Sequence, residues 1–228
     1  VFEVELLLVE KCPPRGRAVR SGVRPSRFSE TRRSQERFFE ASLNEEQGAT
    51  AVPRQTVLSP CRAYRYVLWR GWDRANPAYA LFVGLNPSTA DEGEDDPTVR
   101  RCVAYARRWG YGAVCVVNLF AYRAADPRVM KAHPSPVGPD NDRWLLGQAK
   151  GAGVVVAAWG AGGTHRGRDQ AVTRLLGGRL SCLRLTRDGH PGHPLYLPRT
   201  LGPVPFAAPP VTSSRQAPRG DGGGEVVS

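Results

Sequence analysis

Between Cys61 and Thr200 the apolar residues gather in short unbroken runs separated by polar, glycine-marked stretches. Tyr79–Gly84 (YALFVG), Ala113–Leu119 (AVCVVNL) and Gly153–Trp159 are strand-sized and largely apolar on both faces, as strands buried under helices are, and Ser181–Leu185 predicts a fourth strand. Tyr64–Trp69 alternates instead, which predicts an exposed edge strand paired with the next one. The intervening stretches have helical spacing. Asp96-Pro97 reads as an N-cap followed by proline in the first turn, and Val99, Cys102, Val103 and Ala106 follow on one face until Gly110 ends the helix. Asp140–Ala149 and Arg168–Leu176 predict two more helices, the last stopped by Gly177. Strands alternating with helices imply right-handed crossovers. The expected fold is a three-layer α/β/α domain over residues 61–204, with a mostly parallel four-stranded central sheet plus an N-terminal edge strand or hairpin.

The flanks lack such a pattern. Residues 11–60 are rich in Arg and Ser and sustain no hydrophobic period, so residues 1–60 are expected to be a mostly disordered basic extension. Val1–Val9 could supply one strand there, and Gln35–Leu43 a short helix. Residues 205–228, with Ala-Ala-Pro-Pro and Asp-Gly-Gly-Gly, predict a disordered tail.

Composition sharpens this picture. The 228 residues carry 32 Lys+Arg against 21 Asp+Glu, a formal charge of +11. Residues 61–204 hold 20 of the former and 11 of the latter, so +9 of the excess belongs to the expected folded domain. Such a surface favours a polyanion, nucleic acid or a nucleotide first, or is simply an arginine-rich solvated face. No run approaches the ~20 apolar residues of a membrane helix, and Glu3, Glu5 and Glu10 leave no basic leader region. Five scattered cysteines without a CxxC argue against zinc, an iron–sulfur cluster or a disulfide framework. Reduced thiols, a cytoplasmic location, no membrane partner and no cofactor are therefore expected.

In a parallel α/β sheet, ligands sit beyond the carboxyl ends of the strands. The first such loop is Gly84-Leu85-Asn86-Pro87-Ser88. Gly84 permits close backbone approach, and Pro87 stiffens the turn that carries the Asn86 amide. An ordinary Asn-Pro turn has the same sequence. The second loop opens on Asn118 and continues through Phe120, Tyr122 and Arg123. An amide ending an apolar strand either satisfies loose backbone groups or reads a ligand edge, with aromatics for stacking or for the core. The third follows Trp159-Gly160 and includes Arg166 and Arg168, whose charge suits phosphate, although the P-loop ending is missing. The fourth contains His190 and His193, each followed by proline. A histidine fixed there can act as acid, base or anion stabiliser.

In order, Gly84-Leu85-Asn86-Pro87, Val116-Val117-Asn118-Leu119, Ala158-Trp159-Gly160 and His190-Pro191-Gly192-His193-Pro194-Leu195 resemble the four strand-end motifs of the uracil-DNA glycosylase superfamily. The stretch from Cys61 to Leu197 is more closely similar to a bacterial family, the domain of unknown function 1643. The motifs that carry this are GLNPSTAD at 84–91, DDPTVRRC at 95–102, VVNLFAYRA at 116–124, VGPDNDRWL at 137–145 and GHPGHPLYL at 189–197. The glycosylase resemblance implies a uracil-DNA-glycosylase-like fold in which Asn86 places a water, Asn118 reads the base and His190 stabilises the departing base. His193 is the competing match. Gly84, Pro87, Ser88, Phe120, Trp159 and Gly160 would line the substrate. Arg100, Arg123, Arg166 and Arg168 would meet phosphates, with Leu195 or Tyr196 as the duplex wedge. An N-glycosylase acting on a base in nucleic acid or a nucleotide is thus expected, with a non-catalytic nucleobase-binding module as the alternative. A metal-dependent phosphoesterase using Asp91, Asp95, Asp96 and both histidines is the distant third reading.

Overall fold

The computed structural model describes residues 54–206 except 89, 91 and 92. The strand expected over Val1–Val9, the helix over Gln35–Leu43 and residues 207–228 of the expected tail lie outside those residues, whereas the tail's first two residues belong to the fold, Pro205 in a strand and Phe206 in the core.

The sheet has seven strands: β1 (Arg54–Leu58), β2 (Arg65–Gly71), β3 (Tyr79–Gly84), β4 (Ala113–Asn118), β5 (Val154–Ala157), β6 (Leu180–Cys182) and β7 (Val204–Pro205). Their order across the sheet is β1-β2-β4-β3-β5-β6-β7. Four helices accompany them: α1 (Pro97–Arg108), α2 (Pro127–Ala132), α3 (Asn141–Gly151) and α4 (Arg168–Leu176). The α/β class is as expected, but the sheet is larger and more mixed than the expected four-stranded one. β4, β3, β5 and β6 are joined by parallel ladders, whereas β1–β2, β2–β4 and β6–β7 are antiparallel. A strand at Arg54–Leu58, inside the stretch read as disordered, supplies the true edge. β2 is consequently interior, paired with β1 and β4 and not with β3.

Alternation along the strands feeds two cores. Leu81 and Val83 of β3, with Cys115 and Val117 of β4, point to the face covered by α3 and α4, where Leu145, Val172 and Leu176 pack. Ala80, Phe82, Val114 and Val116 point to the opposite face, against Val99, Cys102, Tyr105 and Ala106 of α1. Each such large aliphatic side chain withdrawn from water contributes roughly 1.5–3 kcal/mol. Helix α1 starts as its sequence dictates: the Asp96 carboxylate accepts the Val99 N–H at 2.8 Å and Pro97 opens the first turn. Gly110, at φ 81°, turns the chain out beyond the helix end. Helix α2 repeats the device with Asp126-Pro127.

Candidate functional site at the strand ends

β3 and β4 run side by side in parallel register, so that Gly84 pairs with Asn118 at their carboxyl ends. Both follow the α1-side alternation, Phe82 to Gly84 and Val116 to Asn118. A methyl group on Gly84 would lie 2.7 Å from Asn118 Oδ1, inside contact distance. Glycine is thus required for the amide to lie where it does. Asn118 is 3 % exposed, and its Nδ2 is buried without a hydrogen-bond partner among the described residues. A bare buried amide donor costs roughly 1–3 kcal/mol.

Its backbone, by contrast, is held firmly. Asn141, the first residue of α3, donates from Nδ2 to the carbonyls of Asn118 (2.9 Å) and Leu119 (3.0 Å). Arg168 Nε donates to the same Leu119 carbonyl at 2.9 Å, and its other end pairs with Asp142. Asn141 was not singled out from sequence, although its motif VGPDNDRWL was. A polar residue opening a helix reads first as a cap, and nothing local reveals a neighbour 22 residues upstream.

The Asn86 amide is engaged differently. Its Nδ2 donates to the carbonyls of Pro87 (3.0 Å) and Ala124 (2.8 Å), and Pro87 accepts the Ala124 N–H at 2.9 Å. Asn86 therefore splices the first loop to the second. His190 is half-buried, with its backbone N–H on Thr186 Oγ1 and its carbonyl accepting the Thr186 N–H. None of the Asn86, Asn118 and His190 side chains hydrogen-bonds another.

His193 is the better-built histidine. Its Nδ1 accepts the Leu195 N–H at 3.3 Å, capping the short 3-10 turn Pro194–Tyr196. In the neutral ring the proton then sits on Nε2 as a donor. Burial pulls its pKa below the usual 6.5, against the opposing charge of the Asp96 carboxylate. Tyr196, 82 % exposed, tilts over the imidazole with ring centres 5.4 Å apart, while Leu195 is half-buried. Arg101 of α1 donates to the Leu197 carbonyl at 2.6 Å, and Gly160 N–H donates to Pro191 at 3.0 Å. These bonds draw the histidine loop, the Gly160 loop and α1 together.

Other expected site residues have different work. Phe120 and Trp159 belong to the core on the α3–α4 face, Phe120 against the His165 ring and Trp159 edge-on to Phe206. Asn118 points to the other face, so neither ring forms a stacking wall beside it. The expected phosphate arginines are largely engaged with carbonyls. Arg168 is buried as described; Arg166 donates to His133 and Pro134, and Arg100 to Asp95. The Arg123 side chain donates to the Arg62 carbonyl at 3.3 Å and with Ser88 lines an open groove.

The acidic loop before α1 serves the fold. Asp95 accepts from the buried Arg70 Nε at 2.6 Å and from Arg54 at 3.3 Å, and Arg65 holds the Ala90 carbonyl at 2.6 Å. With Asp96 capping α1, two of the three acids expected to hold a phosphoesterase metal have partners. Asp91 lies outside the described residues, among which no group of three or more His, Cys, Asp or Glu gathers as a metal site. Cys102, Cys115 and Cys182 are buried free thiols, whereas Cys61 is disulfide-bonded, contrary to the reduced thiols expected. No helix among the described residues is long and apolar enough to cross a membrane.

Fold and site together define an α/β protein with an amide-lined carboxyl edge. The chain belongs to the family described as protein of unknown function (DUF1643), whose model matches residues 65–195. Neither curated proteins nor solved structures give a match.

Proposed function

We propose that the protein handles a nucleobase, in a nucleotide or in nucleic acid, with the Asn118 amide reading the edge of the base. One observation carries this reading: Asn118 Nδ2 is buried and, among the described residues, unpartnered, beside a glycine that leaves the amide its room. A flat heterocycle with a ring carbonyl would satisfy that donor, while Oδ1 remains to accept an N–H. The order of the four strand-end motifs, similar to that of uracil-DNA glycosylases, supports the same ligand class.

N-glycosidic hydrolysis is the reaction this reading suggests, favoured by the depressed pKa of His193. A neutral imidazole with its proton on Nε2 can donate a hydrogen bond to charge developing on a departing base. A non-catalytic base-binding module remains the alternative. Calorimetric titration with a panel of nucleobases and nucleosides tests the binding. A keto-bearing base should bind, and Asn118→Ala should weaken it roughly 5- to 150-fold, the worth of a bidentate amide–base pair. If no base binds the wild type, the reading fails. Single-turnover assays on the bound nucleosides then separate hydrolase from binding module.

A further inference from the structure

We propose that the groove beside the Asn86 loop is a phosphoryl-binding subsite, so that the ligand is a phosphorylated nucleoside and not a free base. This rests on the reading above only for the nucleoside half of the ligand. The groove is an open cavity of about 330 Å³ lined by Arg62, Ser88, Tyr122, Arg123 and three alanines. Three chain segments make it. Arg123 N–H donates to Ala63 (3.0 Å), Ala124 N–H to Pro87 (2.9 Å), and Asn86 Nδ2 to Ala124 (2.8 Å). The same Asn86 loop thus forms one bank of the groove and leaves directly from Gly84, the neighbour of Asn118.

Its chemistry is anionic recognition. Among the described residues, two arginines and a serine hydroxyl line it and no acidic side chain does. The nearest carboxylate in sequence, Asp126, caps α2 and pairs with Arg128 at 2.8 Å. Arg123 uses one nitrogen on a long carbonyl bond, which leaves the rest of a planar fork suited to phosphate oxygens. Arg62 has the left-handed backbone, φ 55°, uncommon for a residue with a side chain. Tyr122, on one wall, is stacked on His133 with ring centres 3.9 Å apart. Alanines on the remaining walls keep the groove wide enough for a phosphoryl group.

Titration of the full chain with inorganic phosphate, a nucleoside and its 5′-monophosphate tests the proposal. The monophosphate should bind the wild type roughly 10- to 100-fold tighter than the nucleoside, the usual worth of a hydrogen bond to a charged group. Inorganic phosphate should compete with it. Arg123→Gln should remove that preference and Ser88→Ala should reduce it, while the exposed Arg174→Gln on α4 should not. A phosphodiester dinucleotide run alongside tells strand phosphate from free nucleotide: whichever loses more affinity in Arg123→Gln is the source. Equal binding of nucleoside and monophosphate to the wild type, or an unchanged preference in Arg123→Gln, overturns the subsite. If phosphate binds in an Arg123-dependent way while no nucleoside binds, the groove stands and the base reading falls.

Discussion

Histidine 193 shows how a single side chain takes its character from its neighbours. Burial opposes its protonation, and the nearby Asp96 carboxylate recovers part of that loss. His133, against Tyr122, is likewise shifted down, chiefly by burial. In the unfolded chain both titrate near 6.5, so on acidification the unfolded state takes up protons before the folded state does. The stability they allow is complete above pH 6.5 and is lost as pH falls from there towards the lowered folded values. The melting temperature should therefore drop between pH 7.5 and 5.5, and His193→Gln should flatten the drop. A wild-type melting temperature independent of pH over that range would contradict the assignment. The candidate histidine was legible in the sequence only as a pair, because what separates His193 from His190 is a turn cap and a helix terminus brought in from elsewhere.

At the level of elements, local chemistry was readable and long-range pairing was not. Tyr79–Gly84 and Arg168–Leu176 form over the residues the pattern indicates, since unbroken apolar runs and Gly177 past the helix end are local signals. β1 escaped because Arg54–Leu58 is short and follows an arginine-rich stretch, so only its pairing with β2 makes it a strand. α2 escaped although its Asp126-Pro127 start copies that of α1, for its six residues bury only Met130. The acidic loop was the largest misreading: no sequence window contains both Asp95 and the Arg70 that neutralises it. Its two last acids consequently do different work, one as a helix cap and one as a tie to the sheet. Asp96→Ala should cost about 1 kcal/mol, the ordinary worth of an N-cap. Asp95→Ala should cost more, roughly 2–3 kcal/mol, because it removes a charged hydrogen bond from an arginine 3 % exposed. Denaturant unfolding of the two variants measures this, and equal losses would show that the Arg70 tie is idle.

Over the whole molecule the surplus of arginine acquires a structural meaning that charge counting could not reveal. Arg65, Arg101, Arg166, Arg168 and Arg179 all donate to backbone carbonyls in loops or at helix ends. Such carbonyls have no partner of their own in irregular segments, and a guanidinium reaches them across the gaps between elements. A chain with 20 Pro and 25 Gly has many such segments. The +9 of residues 61–204 is therefore partly a consequence of lacing loops together and only partly a field for a polyanion. The two roles make different demands on salt. Each phosphate neutralised on a single strand releases counterions and adds about 0.7 to the slope of log affinity against log salt. If most arginines are already engaged with the backbone, oligonucleotide binding should show a slope no steeper than about 2, as from two or three phosphates near the Arg123 groove. Fluorescence anisotropy over a salt series gives the slope directly. A value of about 5 or more would mean that the lacing arginines also face the strand, and the phosphate contacts would then extend well beyond the groove.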